Sequence, residues 1–301
     1  MSPDLPARVV VGVDGSPAAV VATQWAARQA VRRGADLLVL SAHRPPAVGL
    51  PTAALPGEDR DGHPRAGREL VDMVVRRLRQ RYPDLRVDGA VEHRDPRVAL
   101  LDAGRGAALT VLGNRGTGRL PEALGGSVAL YVTAHAVTPV AVVPRRPVPA
   151  AGPVVVGVDP AGTGQAAVDV AFDEAARRGA DLVAVLAVDR VVGHQGFARR
   201  PVRPLPAEIE SDEALLAEQL AGWAEKYPDV IVHRVLLDGR PAHCLTHVAE
   251  LTGLPRPQLT VVGSRGRGPL AGLVLGSTGH DLIGAAPGPV LVVPREADRP
   301  R

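Results

Sequence analysis

Aromatic side chains are almost missing from this chain of 301 residues, which has two tryptophans, three tyrosines and two phenylalanines. Its core must therefore be built from Val, Leu and Ala, within a 46% apolar composition. The same scarcity argues against a nucleic-acid surface, which wants clustered basic residues interleaved with stacking aromatics. Lysine is nearly absent too: Lys226 stands alone, the remaining basic charge is arginine, and the net charge is only +3. A single cysteine, Cys244, excludes an internal disulfide and fits a reducing compartment. No apolar run approaches the ~20 residues of a membrane span, and no basic-then-apolar leader opens the chain. A soluble cytoplasmic protein is expected.

Several catalytic signatures are lacking. There is no Gly-x-x-x-x-Gly-Lys-Ser/Thr sequence, so this is not a P-loop ATPase. The dinucleotide fingerprint is not cleanly present; Asp36 and Asp181 lie 22 residues after Asp14 and Asp159, but they open the second strands and read as turn residues. His243 and His247 share a helix face, yet the Glu of a zinc-protease motif is absent and the first half has nothing similar, so they read as ordinary histidines. Cys244 has no flanking lysine or second cysteine to make it a redox sensor. Ser127 and Ser277 have no visible His–Asp partner, which favours phosphate contact over nucleophilic chemistry. No residue presents itself as a general base for fast phosphoryl transfer, and no enzymatic activity is expected.

What the chain does have is an internal repeat. Gly113, Asn114, Arg115 and Gly116, then nine residues, then Gly126 and Ser127, recur as Gly263, Ser264, Arg265 and Gly266, nine residues, Gly276 and Ser277. Each copy follows an apolar run and precedes a helix-like stretch. A strand, a glycine loop and a helix opening on Gly-Ser can cradle phosphate with backbone N–H groups.

The repeat extends over both halves, giving expected domains at 1–146 and 147–301, with 145–152 as a Pro-rich linker. Residues 8–14 match 153–159 as a buried strand ending in Asp14 or Asp159. Helices follow at 18–33 and 165–178, closed by Gly34 and Gly179. Second strands are expected at 37–42 and 182–188, and polar interruptions at 44–65 and 189–206. Next come helices at 66–81 and 211–226, third strands at 85–92 and 230–236, and short helices from Pro96 and Pro241. Fourth strands at 109–112 and 259–262, last helices at 127–135 and 277–286, and fifth strands at 139–143 and 289–293 complete each copy. The second copy carries five extra residues within 251–258. Strands alternating with helices predict an α/β class: two tandem, Rossmann-like, five-stranded parallel sheets of order 3-2-1-4-5. Ligands then sit at the switch point between the first and fourth strands.

The glycine spacing, together with Gly12, Val13, Asp14, Gly15, Ser16 and Pro17 at the first strand, resembles the universal stress protein family, in its tandem, ATP-binding form. The resemblance covers 8–144 and 153–294. It implies phosphate contacts from Gly113, Gly116, Gly126, Ser127 and Val128, and from Gly263, Gly266, Gly276, Ser277 and Thr278. It assigns the acidic nucleoside-facing position to Asp14 and Asp159, and an adenine contact through backbone groups to Ala42 and Val188. The implied function is a nucleotide-dependent stress-response regulator or sensor holding ATP, or another adenine nucleotide such as cyclic AMP, with Mg²⁺. The alternatives are a nucleotide-free interaction module of the same fold and a slow ATPase. The resemblance also implies an intrachain pseudo-dimer through the fifth strands, with a homodimer left open. Departures from the pattern fall in both copies. Glu122 and Gly125 stand where the second copy has Gly272 and Leu275, and Pro160 and Ala161 replace Gly15 and Ser16.

Overall fold

The computed structural model describes residues 7–44, 65–115, 126–189, 191–192, 200–201, 205–264 and 275–295. Two compact units divide between Pro147 and Val148.

In the first unit, β1 (Arg8–Gly12), β2 (Asp36–Ala42), β3 (Val87–Glu92), β4 (Leu109–Gly113) and β5 (Val140–Val143) alternate with α1 (Pro17–Arg33), α2 (Arg65–Arg81), α3 (Pro96–Gly104) and α4 (Ser127–His135). All pairings are parallel, in the order β3-β2-β1-β4-β5 that the sequence predicts. Val9 is in register with both Leu37 and Leu109, which makes β1 the central strand. Val9, Val10 and Val11 are wholly buried, as β-branched residues on a doubly covered parallel sheet should be. α1 starts where Pro17 follows the Ser16 cap and stops where Gly34 turns left-handed, its N–H reaching the carbonyls of Ala30 and Val31.

The second unit repeats the order as β10-β7-β6-β11-β12. Its strands are β6 (Val154–Val158), β7 (Leu182–Val188), β10 (Val232–Asp238), β11 (Leu259–Gly263) and β12 (Val290–Val293); its first and last helices are α5 (Gln165–Arg178) and α10 (Ser277–Ala285). A two-residue antiparallel pair, β8 (Val191–Val192) with β9 (Arg200–Pro201), lies within the polar interruption. The matching interruption of the first unit falls almost wholly outside the described residues.

The expected helix 211–226 differs from the structure. α6 (Pro206–Gln219) begins five residues earlier, because Pro206 occupies its first turn and the Glu208 carboxylate accepts the Leu205 N–H at 2.9 Å. It breaks at Gly222, whose φ of 79° is left-handed, and α7 (Trp223–Lys226) resumes. Stacking of Phe172 on Trp223 and Tyr227, at 5.3 and 5.6 Å between centroids, packs α7 against α5. The third strand starts two residues later than expected, at Val232, and the short helix splits into α8 (Pro241–Thr246) and α9 (Val248–Thr252), ended by Gly253.

Candidate functional site

In the first unit the chain leaves β1 through Asp14, Gly15 and Ser16. Gly15 has φ of 80°, a turn that glycine makes without strain. The Asp14 carboxylate accepts the Ser16 N–H at 2.9 Å. The buried Ser16 hydroxyl does two things: it accepts the Ala19 N–H at 3.2 Å, capping α1, and donates to the Arg115 carbonyl at 3.1 Å. That second bond ties the turn after β1 to the glycine loop after β4. Gly113 completes the junction. A Cβ there would lie 2.9 Å from the Ala18 carbonyl carbon and 3.0 Å from the Ala19 nitrogen, so the first turn of α1 rests directly on this glycine. The two signatures of the first half therefore meet at one place, at the carboxyl ends of the central strands.

The far end of the loop returns to the same place. The Asn114 N–H donates to Val143, and the Gly126 N–H donates to the Asn114 carbonyl at 2.7 Å. α4 opens on Gly126 with no side-chain cap. The N–H groups of Ser127, Val128 and Ala129 precede the first intrahelical bond, from Leu130 to Gly126. They carry the positive end of the helix dipole.

The second unit has the same backbone frame. The Ser264 N–H donates to Val293, Gly276 to the Ser264 carbonyl at 2.9 Å, and His280 to Gly276. α10 also opens on an uncapped glycine, before Ser277 and Thr278. Leu275, in the place of Gly125, is buried and packs against Gly279.

The first turn of this unit is different. The sequence suggests that Pro160 and Ala161 cost it a donor and a hydroxyl, but a hydroxyl returns from Thr163, which donates to Asp159 Oδ2. Asp159 Oδ1 accepts the Ala161 N–H at 3.1 Å, and Gly162, at φ 69°, donates to the Asp159 carbonyl. Thr163 was not legible as a site residue, because its role depends on a turn that no spacing announces.

Two further atoms escaped sequence reasoning although they lie within the glycine motif. Asn114 Oδ1 and Ser264 Oγ hold equivalent positions, are buried, and have no hydrogen-bond partner among the described residues. Buried polar atoms are ordinarily paired, so such a couple marks a place where a ligand can complete the bonding. Gly116 and Gly266 lie outside the described residues, as do Glu122, Gly125 and Gly272.

The two expected adenine positions, Ala42 and Val188, do not hold equivalent register. Gly12 is in register with Leu40, and Gly157 with Val185. The counterpart of Ala42 is thus Ala187, while Val188 corresponds to His43. The Val188 carbonyl already accepts the Gly239 N–H at 2.9 Å. His43, beyond the end of β2, was also not singled out. Its Nε2 lies 3.0 Å from the Ser41 hydroxyl, and burial followed by the nearby His93 pushes its pKa down. Asp36 opens β2, and Asp181 immediately precedes β7, 2.8 Å from His233 Nε2.

No group of three His, Cys, Asp or Glu side chains that could hold a metal occurs among the described residues. His243 and His247 are exposed and pack ring to ring at 4.4 Å. Cys244 is wholly buried, and burial pushes its thiol pKa up. Among the described residues no helix is long and apolar enough to cross a membrane.

Comparison with known proteins gives consistent likenesses. The model of the universal stress protein family matches residues 7–144 and 151–294. The chain is similar to two universal stress proteins of Mycobacterium tuberculosis H37Rv. One is 37% identical over 305 residues, spanning 94% of both chains. The other is 38% identical over 293 residues, spanning 94% of this chain and 95% of the relative. In fold, it is similar to the crystal structure of a universal stress protein from Archaeoglobus fulgidus, with a TM-score of 0.66 at 20% identity and 96% of each chain covered.

Proposed function

The chain belongs to the universal stress protein family, and from that premise we propose that each unit binds an adenine nucleotide between the ends of its first and fourth strands. The observation that carries this reading is the pair of uncapped helix starts, α4 and α10. Each is tied back to the loop leaving the fourth strand, beside a buried polar atom without a partner among the described residues. Free N–H groups at a helix start accept a polyphosphate without rearrangement. The Ser264 hydroxyl can donate to a phosphate oxygen. Asn114 Oδ1 only accepts, so it suits a ligand hydroxyl or a metal-bound water. Asp14 and Asp159 offer acceptors for the nucleoside side of the ligand.

Mg²⁺ would travel with the phosphates rather than in a protein cage, as small hard cations do when they keep several waters. The nucleotide acts as a ligand that shifts conformation or partner affinity during stress, and no residue is assigned a catalytic role. Pairing of the two apolar fifth strands, each followed by a proline (Pro144, Pro294), belongs to the same reading.

Calorimetric titration of nucleotide-free protein with ATP and Mg²⁺ tests it, with cyclic AMP as competitor. Ser127→Asp and Ser277→Asp are the useful variants. A carboxylate in the first turn of a helix stabilises the fold but repels phosphate. A stoichiometry near two, reduced to one by either variant and to none by both, is expected. No heat and no thermal shift at millimolar ATP would remove the proposal and leave the interaction module. Substantial ATP turnover would favour the enzyme.

A further inference from the structure

α2 and α6 hold equivalent places in the two repeats, each ahead of the third strand, yet their charges are opposite. α2 carries six arginines against Glu69 and Asp72, whereas α6 carries five carboxylates and no basic residue. Arg68, Arg76, Arg77 and Arg81 are exposed and have no ion pair among the described residues. Arg79 bends back to the Val87 carbonyl at 2.6 Å and, with Asp72, Val75, Arg76 and Gln80, lines a groove of about 500 Å³. Met73, on the same helix, is 41% exposed. On α6, Glu208 is used to cap the helix, but Glu210, Glu213 and Glu218 are exposed and likewise without an ion pair among the described residues. Like charges three and four residues apart on one helix repel each other, a cost that an opposite surface would relieve.

We propose that the arginine face of α2 in one copy of this chain docks against the carboxylate face of α6 in a second copy. The helices run 17 and 14 residues, roughly 25 and 21 Å at 1.5 Å per residue, so the two elements are of comparable length. A polyanion such as nucleic acid suits α2 less well: the groove has no aromatic to stack a base, and α6 would be left without a role. The two faces are different surfaces, so the contact is head-to-tail and extends with concentration unless it closes into a ring. It stands apart from nucleotide binding.

The test is sedimentation velocity of the full chain over a concentration series at about 0.02 M and about 0.5 M salt, where the screening length falls from roughly 20 Å to roughly 4 Å. Average mass should rise with concentration at low salt and fall back at high salt. Two triple variants follow, Arg76→Glu with Arg77→Glu and Arg81→Glu, and Glu210→Arg with Glu213→Arg and Glu218→Arg. Each should weaken the salt-sensitive step about tenfold or more. An equimolar mixture of the two should restore it, because every face then meets its opposite. Misfolded chains would not recover on mixing. A mass that ignores salt, variants that associate like the native chain, or a mixture that fails to recover would each overturn the proposal. So would loss of a labelled oligonucleotide from the α2 variant with the mass series unchanged.

Discussion

Turns that occupy the same place in the two units are held by different atoms. After β1 the Ser16 hydroxyl caps α1 and reaches across to Arg115. After β6 the Ala161 N–H and the Thr163 hydroxyl donate to Asp159, and α5 starts at Gly164 without a side-chain cap. The helix after the third strand repeats this contrast. Asp95 caps α3 and is held by Arg97 and Arg44, whereas Arg240 stands at the start of α8 and caps nothing. At the far end of α1, Arg33 bonds Gln29; at the far end of α5, Arg178 pairs with Glu174 at 2.7 Å and with Gln258, which in turn holds the Gly152 carbonyl. Register, glycine caps and loop-closing backbone bonds are the same in both units. The side-chain supports have been exchanged one for another, because any donor or acceptor that satisfies the same backbone group serves.

The sharpest way to break this comparison is at the helix ends. Arg178 and Glu174 are 2% and 1% exposed, so Glu174→Ala leaves a buried guanidinium without its carboxylate and should cost the second unit about 3 kcal/mol. Gln29→Ala removes a neutral partner and should cost the first unit about 1–3 kcal/mol. Denaturant unfolding of both variants, unit by unit, checks the ordering; equal losses would show the two networks to be equivalent.

A smaller effect is expected at the turns. Ser16→Ala should cost the first unit about 1 kcal/mol as a lost cap. It should also weaken the nucleotide site of that unit alone, by freeing the glycine loop from the turn. Thr163→Ala acts on an exposed bond and should cost less. Titration calorimetry beside thermal unfolding separates the two; equal effects on both sites would mean that the bridge to Arg115 does not matter.

The smallest effect is a pH dependence. Hydrogen bonds from the Arg97 side chain first, then from Arg44 and the Arg97 backbone, hold the Asp95 carboxyl far below the usual range. A depressed folded-state pKa contributes stability above the unfolded value, about 4, and loses it as pH falls below that. Solvent screening keeps the effect modest, since Arg44 is well exposed. Acid unfolding of Asp95→Asn should therefore narrow the gap between the first unit's stability at pH 5 and at pH 3, leaving the second unit unmoved.

Most of the architecture was legible because the repeat read every element twice. α5, β7 and α4 have the bounds that periodicity and capping residues set. The start of α6 was not legible, since Pro206 reads equally as the end of a loop, and only the Glu208 contact shows it to be a first-turn residue. At the site, the glycines and the helix-opening serines could be named from spacing. Thr163, Asn114 and Ser264 could not, because each matters through burial or a turn rather than residue type. The two adenine positions named from the sequence differ by one residue in register, because counting from a strand's end is less secure than hydrogen-bond pairing, which sets Gly157 beside Val185.

The shortage of aromatics has a practical side. Each unit owns one tryptophan, and the two live in unlike surroundings. Trp25 is sealed in the interior at 2% exposure. Trp223 is half-buried, stacked on Phe172 and Tyr227, with the Lys226 ammonium 4.8 Å from its ring centre. Their emission should differ in colour and in quenching. The protein thus carries two built-in optical labels, one per unit, and replacing either by phenylalanine leaves a single-colour reporter of the other unit.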